Sequence, residues 1–325
     1  SNLSFNQIND STSLAGDIRY SSMTAKYGDP STTKDDFVTA RATNPAGGIA
    51  VNRDFSGAFS GDLTFTTGVN DYTNPIKGNY ANATFIHELG HALGLDHPHD
   101  NELNKPVGGE DQLKYSVMSY SAFNGDTPGG GYPASVEFFP TTLMLNDILA
   151  IQFLYGANTS YKTGDDIYSW APDQKVFETI WDAGGVDTID ASNQAQSVKI
   201  NLNSGKWSEI GVAFNNGQAD VRDCLTIAYN CRIENAVGSQ FRDTLIGNEV
   251  RNVLIGGEGA DTLAGAGGAD LLDGGIGFDT AYFNIAVVQE MIIFLPVKVL
   301  IPMLVALVTI PLMQMVDIQD QQQKH

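Results

Sequence analysis

Four of the chain's five histidines lie between positions 87 and 99, in a stretch whose core reads His87-Glu88-Leu89-Gly90-His91-Ala92-Leu93-Gly94-Leu95-Asp96-His97. The apolar spacing of Phe85, Leu89 and Leu93 predicts an amphipathic helix over residues 81–93. On such a helix, His87 and His91 lie one turn apart and point the same way. Two imidazoles in this arrangement can bind one metal ion.

The residues after the helix complete the predicted site. Gly94 tolerates a left-handed backbone, so it is placed to end the helix and to let His97 approach the same ion. Three nitrogen ligands leave one coordination position for water, which is typical of catalytic zinc. Glu88 is then the expected general base. Histidines held by ordinary hydrogen bonds are the alternative, but they would not require this spacing.

A second motif follows downstream and reads Ser116-Val117-Met118-Ser119-Tyr120. Taken alone, Met118 would be a core residue and Tyr120 a surface tyrosine. Together with the histidine motif, the chain resembles the serralysins, zinc endopeptidases of the metzincin type. The resemblance implies that Met118 forms a hydrophobic floor below the zinc. It also implies that Tyr120 is a displaceable fifth ligand that supports the oxyanion.

Further stretches of the chain are similar to the same family, which extends the likeness from Leu3 to about Tyr282. Residues 147–158 resemble the helix that closes the catalytic domain, and residues 233–238 resemble the approach to the repeats. Residues 181–190 resemble a calcium-binding entry to the C-terminal domain, which assigns Asp182 and Asp187 to calcium. The likeness starts late, so we expect the family's propeptide, first helix and first strand to be missing.

A nine-residue period begins at Gly238 and continues to Tyr282. Such a period predicts a parallel β-roll, with Leu263 and Leu272 facing inward. Aspartate and backbone carbonyl oxygens are ligands that Ca²⁺ prefers. The alternative is a flexible Gly-Asp-rich linker. The predicted calcium residues are Gly256, Gly257, Gly259, Asp261, Gly265, Gly267, Gly268, Asp270, Gly274, Gly275, Gly277 and Asp279.

The composition narrows the range of partners. A formal net charge of −20 argues against nucleic acid and against an anionic membrane surface. We expect protein and peptide substrates, and a monomer. Cys224 and Cys231 form either a local disulfide or two buried free thiols. The first residues have no signal-peptide pattern. The resemblance implies an extracellular protein exported without an N-terminal signal.

The composition changes after position 283. Residues 299–316 carry no charge over 18 positions, which meets the length rule for a membrane span, although Pro302 and Pro311 interrupt them. Our hypothesis is instead an out-of-frame reading of further repeats. Codon junctions 291/292, 300/301 and 309/310, nine positions apart, can each encode Asp in the shifted frame. We then expect the family's C-terminal secretion signal to be lost.

These observations predict an α+β protein in three parts. Residues 1–160 form a metzincin catalytic domain with a twisted sheet and an active-site helix. Residues 161–283 form an all-β parallel roll with its nonad repeats at 238–282, and residues 284–325 form an aberrant apolar tail. The predicted function is a zinc endopeptidase stabilised by calcium. The alternatives are a calcium-binding RTX surface or adhesion module with an inactive protease-like domain, and a membrane-tethered protease.

Overall fold

The structure, a computed structural model, describes part of the chain. The described residues are the backbone of three strands within residues 20–67, residue 72, and residues 74–99, 109–126 and 136–282. The tail 284–325, with its membrane-span and frameshift alternatives, lies outside them. So does most of the front of the chain.

The histidine motif lies on helix α1, which spans Tyr80–Ala92 and so confirms the predicted helix to within one residue at each end. Asn79 caps its start, because the Asn79 side chain accepts a hydrogen bond of 2.8 Å from the backbone N–H of Asn82. Gly94 follows its end with φ of +93°, a conformation that favours glycine. The chain therefore turns back at Gly94, and His97 comes beside the helix.

Helix α2 spans Leu145–Tyr155, so the stretch 147–158 that resembles the closing helix of the catalytic domain is helical as far as Tyr155. Met144 is its N-cap, and the Met144 backbone N–H donates a hydrogen bond to the Asp147 carboxylate. Between the two helices, residues 109–126 and 136–140 contain no helix or strand.

Nineteen strands accompany the two helices in the described residues. In chain order they are β1 Tyr20–Thr24, β2 Ala40–Ala42, β3 Leu63–Thr67, β4 Ile167–Tyr168, β5 Glu178–Ile180, β6 Thr188–Asp190, β7 Lys199–Asn201, β8 Trp207–Ser208, β9 Phe214–Asn215, β10 Asp220–Val221, β11 Leu225–Ile227, β12 Asn235–Val237, β13 Thr244–Ile246, β14 Val253–Ile255, β15 Glu258–Gly259, β16 Thr262–Ala264, β17 Leu271–Asp273, β18 Ile276–Gly277 and β19 Thr280–Tyr282.

The front sheet has the order β1-β3-β2, with β3 parallel to β1 and antiparallel to β2. Strand β3 is thus the central strand of this sheet. Three smaller sheets have the orders β5-β11-β8, β10-β9 and β15-β18, the last of them within the repeats.

Two parallel sheets form the roll, in the orders β17-β14-β12-β6-β4 and β19-β16-β13-β7. Successive nonads alternate between the sheets, so each residue pairs with the residue 18 positions on, as Leu245 does with Leu263 and Leu254 with Leu272. Inward side chains fill the space between the sheets: Leu245, Leu254 and Leu263 are buried, and Leu272 is partly buried. The parallel β-roll is confirmed, and the linker alternative is wrong.

A second hydrophobic core surrounds the histidine motif. It contains Leu113, Met118 and Met144, and it also contains Phe177 and Phe214 from beyond position 160. The predicted domain boundary at 160 stays a prediction. Cys224 and Cys231 are two buried free thiols and do not form a disulfide with each other. None of the helices in the described part of the chain has the length and apolarity needed to cross a bilayer.

Candidate functional site

The three histidines of the motif converge at the end of α1. The Nε2 atom of His97 lies 3.0 Å from Nε2 of His91 and 3.2 Å from Nε2 of His87. The α-helical spacing and the turn at Gly94 together produce this cluster. The structure thus brings together all three residues that the sequence predicts as zinc ligands.

The other ring nitrogens of two of these residues fix their tautomers. Nδ1 of His87 lies 2.8 Å from the Val117 carbonyl oxygen, and Nδ1 of His91 lies 2.7 Å from the Leu95 carbonyl oxygen. A carbonyl can only accept, so each Nδ1 carries the hydrogen. In the neutral form of each ring the Nε2 lone pair therefore faces the centre of the cluster, as in metal-binding histidines.

This geometry fits zinc. Tetrahedral Zn–N bonds of ~2.0–2.1 Å place ligand nitrogens about 3.3 Å apart. The observed separations of 3.0 and 3.2 Å are close to that value. Burial, followed by the nearby His91, lowers the pKa of His87 well below its usual value, which favours the neutral form that binds metal.

The predicted catalytic groups lie around the cluster. Glu88 follows His87 on α1 and is buried. The Tyr120 ring stacks against the His87 ring with centroids 5.5 Å apart, and its centroid is 4.7 Å from that of His97. Tyr120 is only half-buried, so its phenol borders the site and solvent.

Met118 packs beneath the histidine helix and is 1% exposed. A Cβ at Gly90 would lie 2.5 Å from the Met118 sulfur, so only glycine fits at this position without a shift. The histidine motif by itself predicts no role for Gly90. A glycine in the interior of a helix lowers the stability of that helix, so its presence at position 90 is the signal that could have indicated a packing constraint.

Two other residues beside the cluster were also missed. The His99 ring stacks on the His97 ring with centroids 5.0 Å apart and an interplanar angle of 8°. His99 Nδ1 lies 3.7 Å from the Asp111 carboxylate. Neither His99 nor Asp111 is part of the histidine motif or the 116–120 motif, because only the folded chain brings them together.

A second cluster joins Asp166, Asp182 and Asp187, each with a carboxylate oxygen within 4.8 Å of the others. The sequence predicted the last two but missed Asp166, which parallel pairing of β4 with β6 brings close. Asp187 Oδ2 is buried and has no hydrogen-bond partner among the described residues. Burial, helped by the Asp182 charge, raises the pKa of Asp187 to about 6.

The repeat aspartates occupy equivalent positions in the roll. Asp261, Asp270 and Asp279 each accept a hydrogen bond of 2.8–3.0 Å from the backbone N–H 18 residues earlier. Asp261 Oδ2 is buried without a hydrogen-bond partner in the described part of the chain. Burial raises the pKa of Asp261 to about 6.

The predicted calcium glycines lie between the strands of the two roll sheets, Gly259 and Gly277 in the short paired strands β15 and β18, and successive repeats stack closely there. At Gly277, for example, a Cβ would lie 1.4 Å from the Gly259 carbonyl oxygen. The structure thus brings the repeat residues into stacked, equivalent turns, but calcium at these turns remains a proposal.

The sequence matches one protein-family model and is similar to several known proteins. Residues 147–284 match the family described as Peptidase M10 serralysin C terminal. The chain is 38% identical to Serralysin A of Dickeya chrysanthemi over 59% of this chain and 41% of that protein. It is 36% identical to Serralysin of Proteus mirabilis over 58% of this chain and 40% of that protein.

A further relative is Metalloprotease AprA of Pseudomonas entomophila (strain L48), which is 38% identical over 54% of this chain and 38% of its own length. The chain thus spans about two fifths of the length of the curated relatives it matches. The predicted resemblance is confirmed: residues 147–284 match the family described as Peptidase M10 serralysin C terminal, and the chain is similar to serralysins and to a metalloprotease over a little more than half of its length.

Proposed function

We propose that this chain is an extracellular zinc-dependent endopeptidase that cleaves proteins and peptides and whose β-roll binds calcium. The observation that carries the proposal is the convergence of three Nε2 atoms, two of them on rings whose Nδ1 hydrogens are taken up by carbonyl oxygens. In this proposal His87, His91 and His97 hold the zinc. Residues up to 160 form the metzincin-type catalytic domain.

Glu88 acts as the general base. When bound, zinc acts as a Lewis acid that lowers the pKa of a water molecule towards ~7. The Glu88 carboxylate takes a proton from the attacking water, whose oxygen forms the new bond to the peptide carbonyl carbon. Glu88 then passes this proton to the amine nitrogen as the C–N bond breaks. Its burial next to His87 shields the carboxylate from bulk water.

Tyr120 and Met118 assist from opposite sides. The Tyr120 phenol borders the histidine rings and can donate a hydrogen bond to the negatively charged oxygen of the transition state. Met118, buried against Gly90, holds the histidine helix at a fixed height above the turn at residues 116–120.

The Glu88 assignment is tested with the variant Glu88→Gln. We expect cleavage of casein to fall by about 10²–10⁴-fold with zinc content unchanged, because the base is lost but the ligands remain. Zymography with and without a zinc chelator and metal analysis are the readouts. Glu137→Gln, which removes an exposed carboxylate paired with Lys175, is the matched control. Unchanged cleavage by Glu88→Gln would refute the assigned role.

Calcium is proposed at two places. The Asp166, Asp182 and Asp187 cluster offers three carboxylates at the entry to the roll. Within the roll, Asp261, Asp270 and Asp279 and the turn glycines supply carboxylate and carbonyl oxygens, which suit a hard cation. Asp187 and Asp261 each have a buried carboxylate oxygen that no hydrogen-bond donor among the described residues reaches, and this supports a cation at both places.

The second candidate function is a calcium-binding surface or adhesion module with an inactive protease-like domain. The regular roll with its buried aspartates favours it, since the roll alone would suffice for that role. Calcium binding together with no casein cleavage by zinc-loaded protein would select this candidate over the protease.

A further inference from the structure

The carboxylate of Asp147 is buried between helix α2 and the turn at residues 116–120. It accepts hydrogen bonds from the Ser116 hydroxyl at 2.6 Å and from the backbone N–H groups of Val117 and Met144, both at 2.8 Å. The residue is 2% exposed, and burial raises the pKa of its carboxyl to about 6.

Helix capping alone does not account for this carboxylate. Capping of α2 uses only the hydrogen bond from the Met144 N–H. A neutral amide side chain at this third helical position can accept that bond without burying a charge. The other two hydrogen bonds come from residues about 30 positions earlier in the chain and tie α2 to the turn below the histidine helix.

A continuous chain of hydrogen bonds leads from this carboxylate to a proposed zinc ligand. The His87 Nδ1–H donates to the Val117 carbonyl at 2.8 Å. The N–H of the same peptide group, on Met118, donates to the Ser116 hydroxyl oxygen at 3.0 Å. The Ser116 hydroxyl in turn donates to Asp147. Every donor in this series points towards the carboxylate.

We propose that Asp147 is a positioning residue that acts on His87 through the Ser116 hydroxyl and the Val117–Met118 peptide group, orienting the His87 ring and strengthening it as a metal ligand. This inference rests on the proposed function, because it takes His87 to be a zinc ligand. Hydrogen bonds aligned in one direction polarise one another, so a charge at one end makes the Val117 carbonyl a better acceptor at the other. Metal-binding histidines commonly rely on a carboxylate or carbonyl partner in this way.

Two variants interrupt the chain at different links. Asp147→Asn removes the charge but keeps the shape, and Ser116→Ala removes the hydroxyl but keeps the charge. We expect each to weaken Zn²⁺ binding by about 10–100-fold, the usual loss when the partner of a ligating histidine is changed. Zn²⁺ affinity is measured on the full chain by competition with a chromophoric chelator. If Asp147→Asn does not fold, Ser116→Ala carries the test alone.

The double variant tests whether the two residues act as one unit. If they do, the Zn²⁺ affinity of the double variant should be about equal to that of the single variant that binds Zn²⁺ less tightly. Ile151→Val, which trims a buried side chain on the same helix, is the control and should lower stability without changing Zn²⁺ affinity. Single-variant losses that multiply in the double variant would overturn the proposal.

Zn²⁺ binding by the wild-type protein distinguishes failure of the Asp147 proposal from failure of the proposed function. Unchanged Zn²⁺ affinity in the folded variants, beside zinc binding by the wild type, would overturn the role of Asp147 alone. A folded wild-type protein that binds no Zn²⁺ would overturn the proposed function itself.

Discussion

At the scale of single residues, close packing restricts which side chains the site accepts. Gly90 is the clearest case, because a Cβ there would lie 2.5 Å from the Met118 sulfur. We expect Gly90→Ala to lower the free energy of unfolding by about 1–3 kcal/mol through overpacking, and to weaken zinc binding. Urea unfolding measures the first effect. Gly164→Ala is the control, since a Cβ there meets nothing within 4 Å, and an equal loss in both variants would contradict this explanation.

Asp147 gives the second prediction at this scale, for pH. Burial raises its carboxyl pKa from an ordinary value of 3.8 to about 6, so the native state binds the proton more tightly than the unfolded state. Its contribution to stability is therefore fully present below pH 3.8 and is lost as the pH rises to about 6. We expect the stability advantage of wild type over Asp147→Asn to fall across this window by up to about 3 kcal/mol. A difference that stays constant with pH would show that Asp147 does not titrate there.

At the scale of elements, the sequence predicted those features that depend on interactions between residues close together in the chain. The cap at Asn79, the apolar stripe of α1 and Gly94 all act within a few residues, so the helix and its end could be predicted from the sequence. The nine-residue period predicted the parallel β-roll for the same reason. Asp166, His99 and the Asp147 contacts could not be predicted, because each depends on segments that only the fold brings together.

The roll carries the prediction for calcium. Asp261→Asn keeps an oxygen that can accept the Asp243 N–H but removes the negative charge. We therefore expect the rise in melting temperature on adding Ca²⁺ to shrink. Stability without Ca²⁺ at neutral pH should rise, because the variant no longer buries an unpaired charge. The control is Asp273→Asn, because Asp273 is partly buried but does not occupy the nonad position that Asp261, Asp270 and Asp279 share. A full calcium response in Asp261→Asn would remove Asp261 from the ligand set.

At the scale of the whole molecule, the histidine site and the roll are joined by a shared core. Phe214 stacks on Phe177 and contacts Phe138, with ring centroids 5.5 and 5.4 Å away. We expect Phe214→Ala to cost about 3–5 kcal/mol and to weaken zinc binding, because this core also contains Met118. Phe241→Ala, at an exposed site on the roll, should have little effect in urea unfolding. Zinc binding that survives full loss of this packing would mean that the two regions are independent.

The central claim is that three imidazoles from one helix and its following turn hold a zinc ion. Zinc K-edge X-ray absorption on purified protein loaded with one equivalent of Zn²⁺ tests it most directly. We predict three imidazole nitrogens at ~2.0–2.1 Å and one oxygen completing the shell. A folded protein that retains no zinc, or a zinc shell without imidazole, would contradict the account.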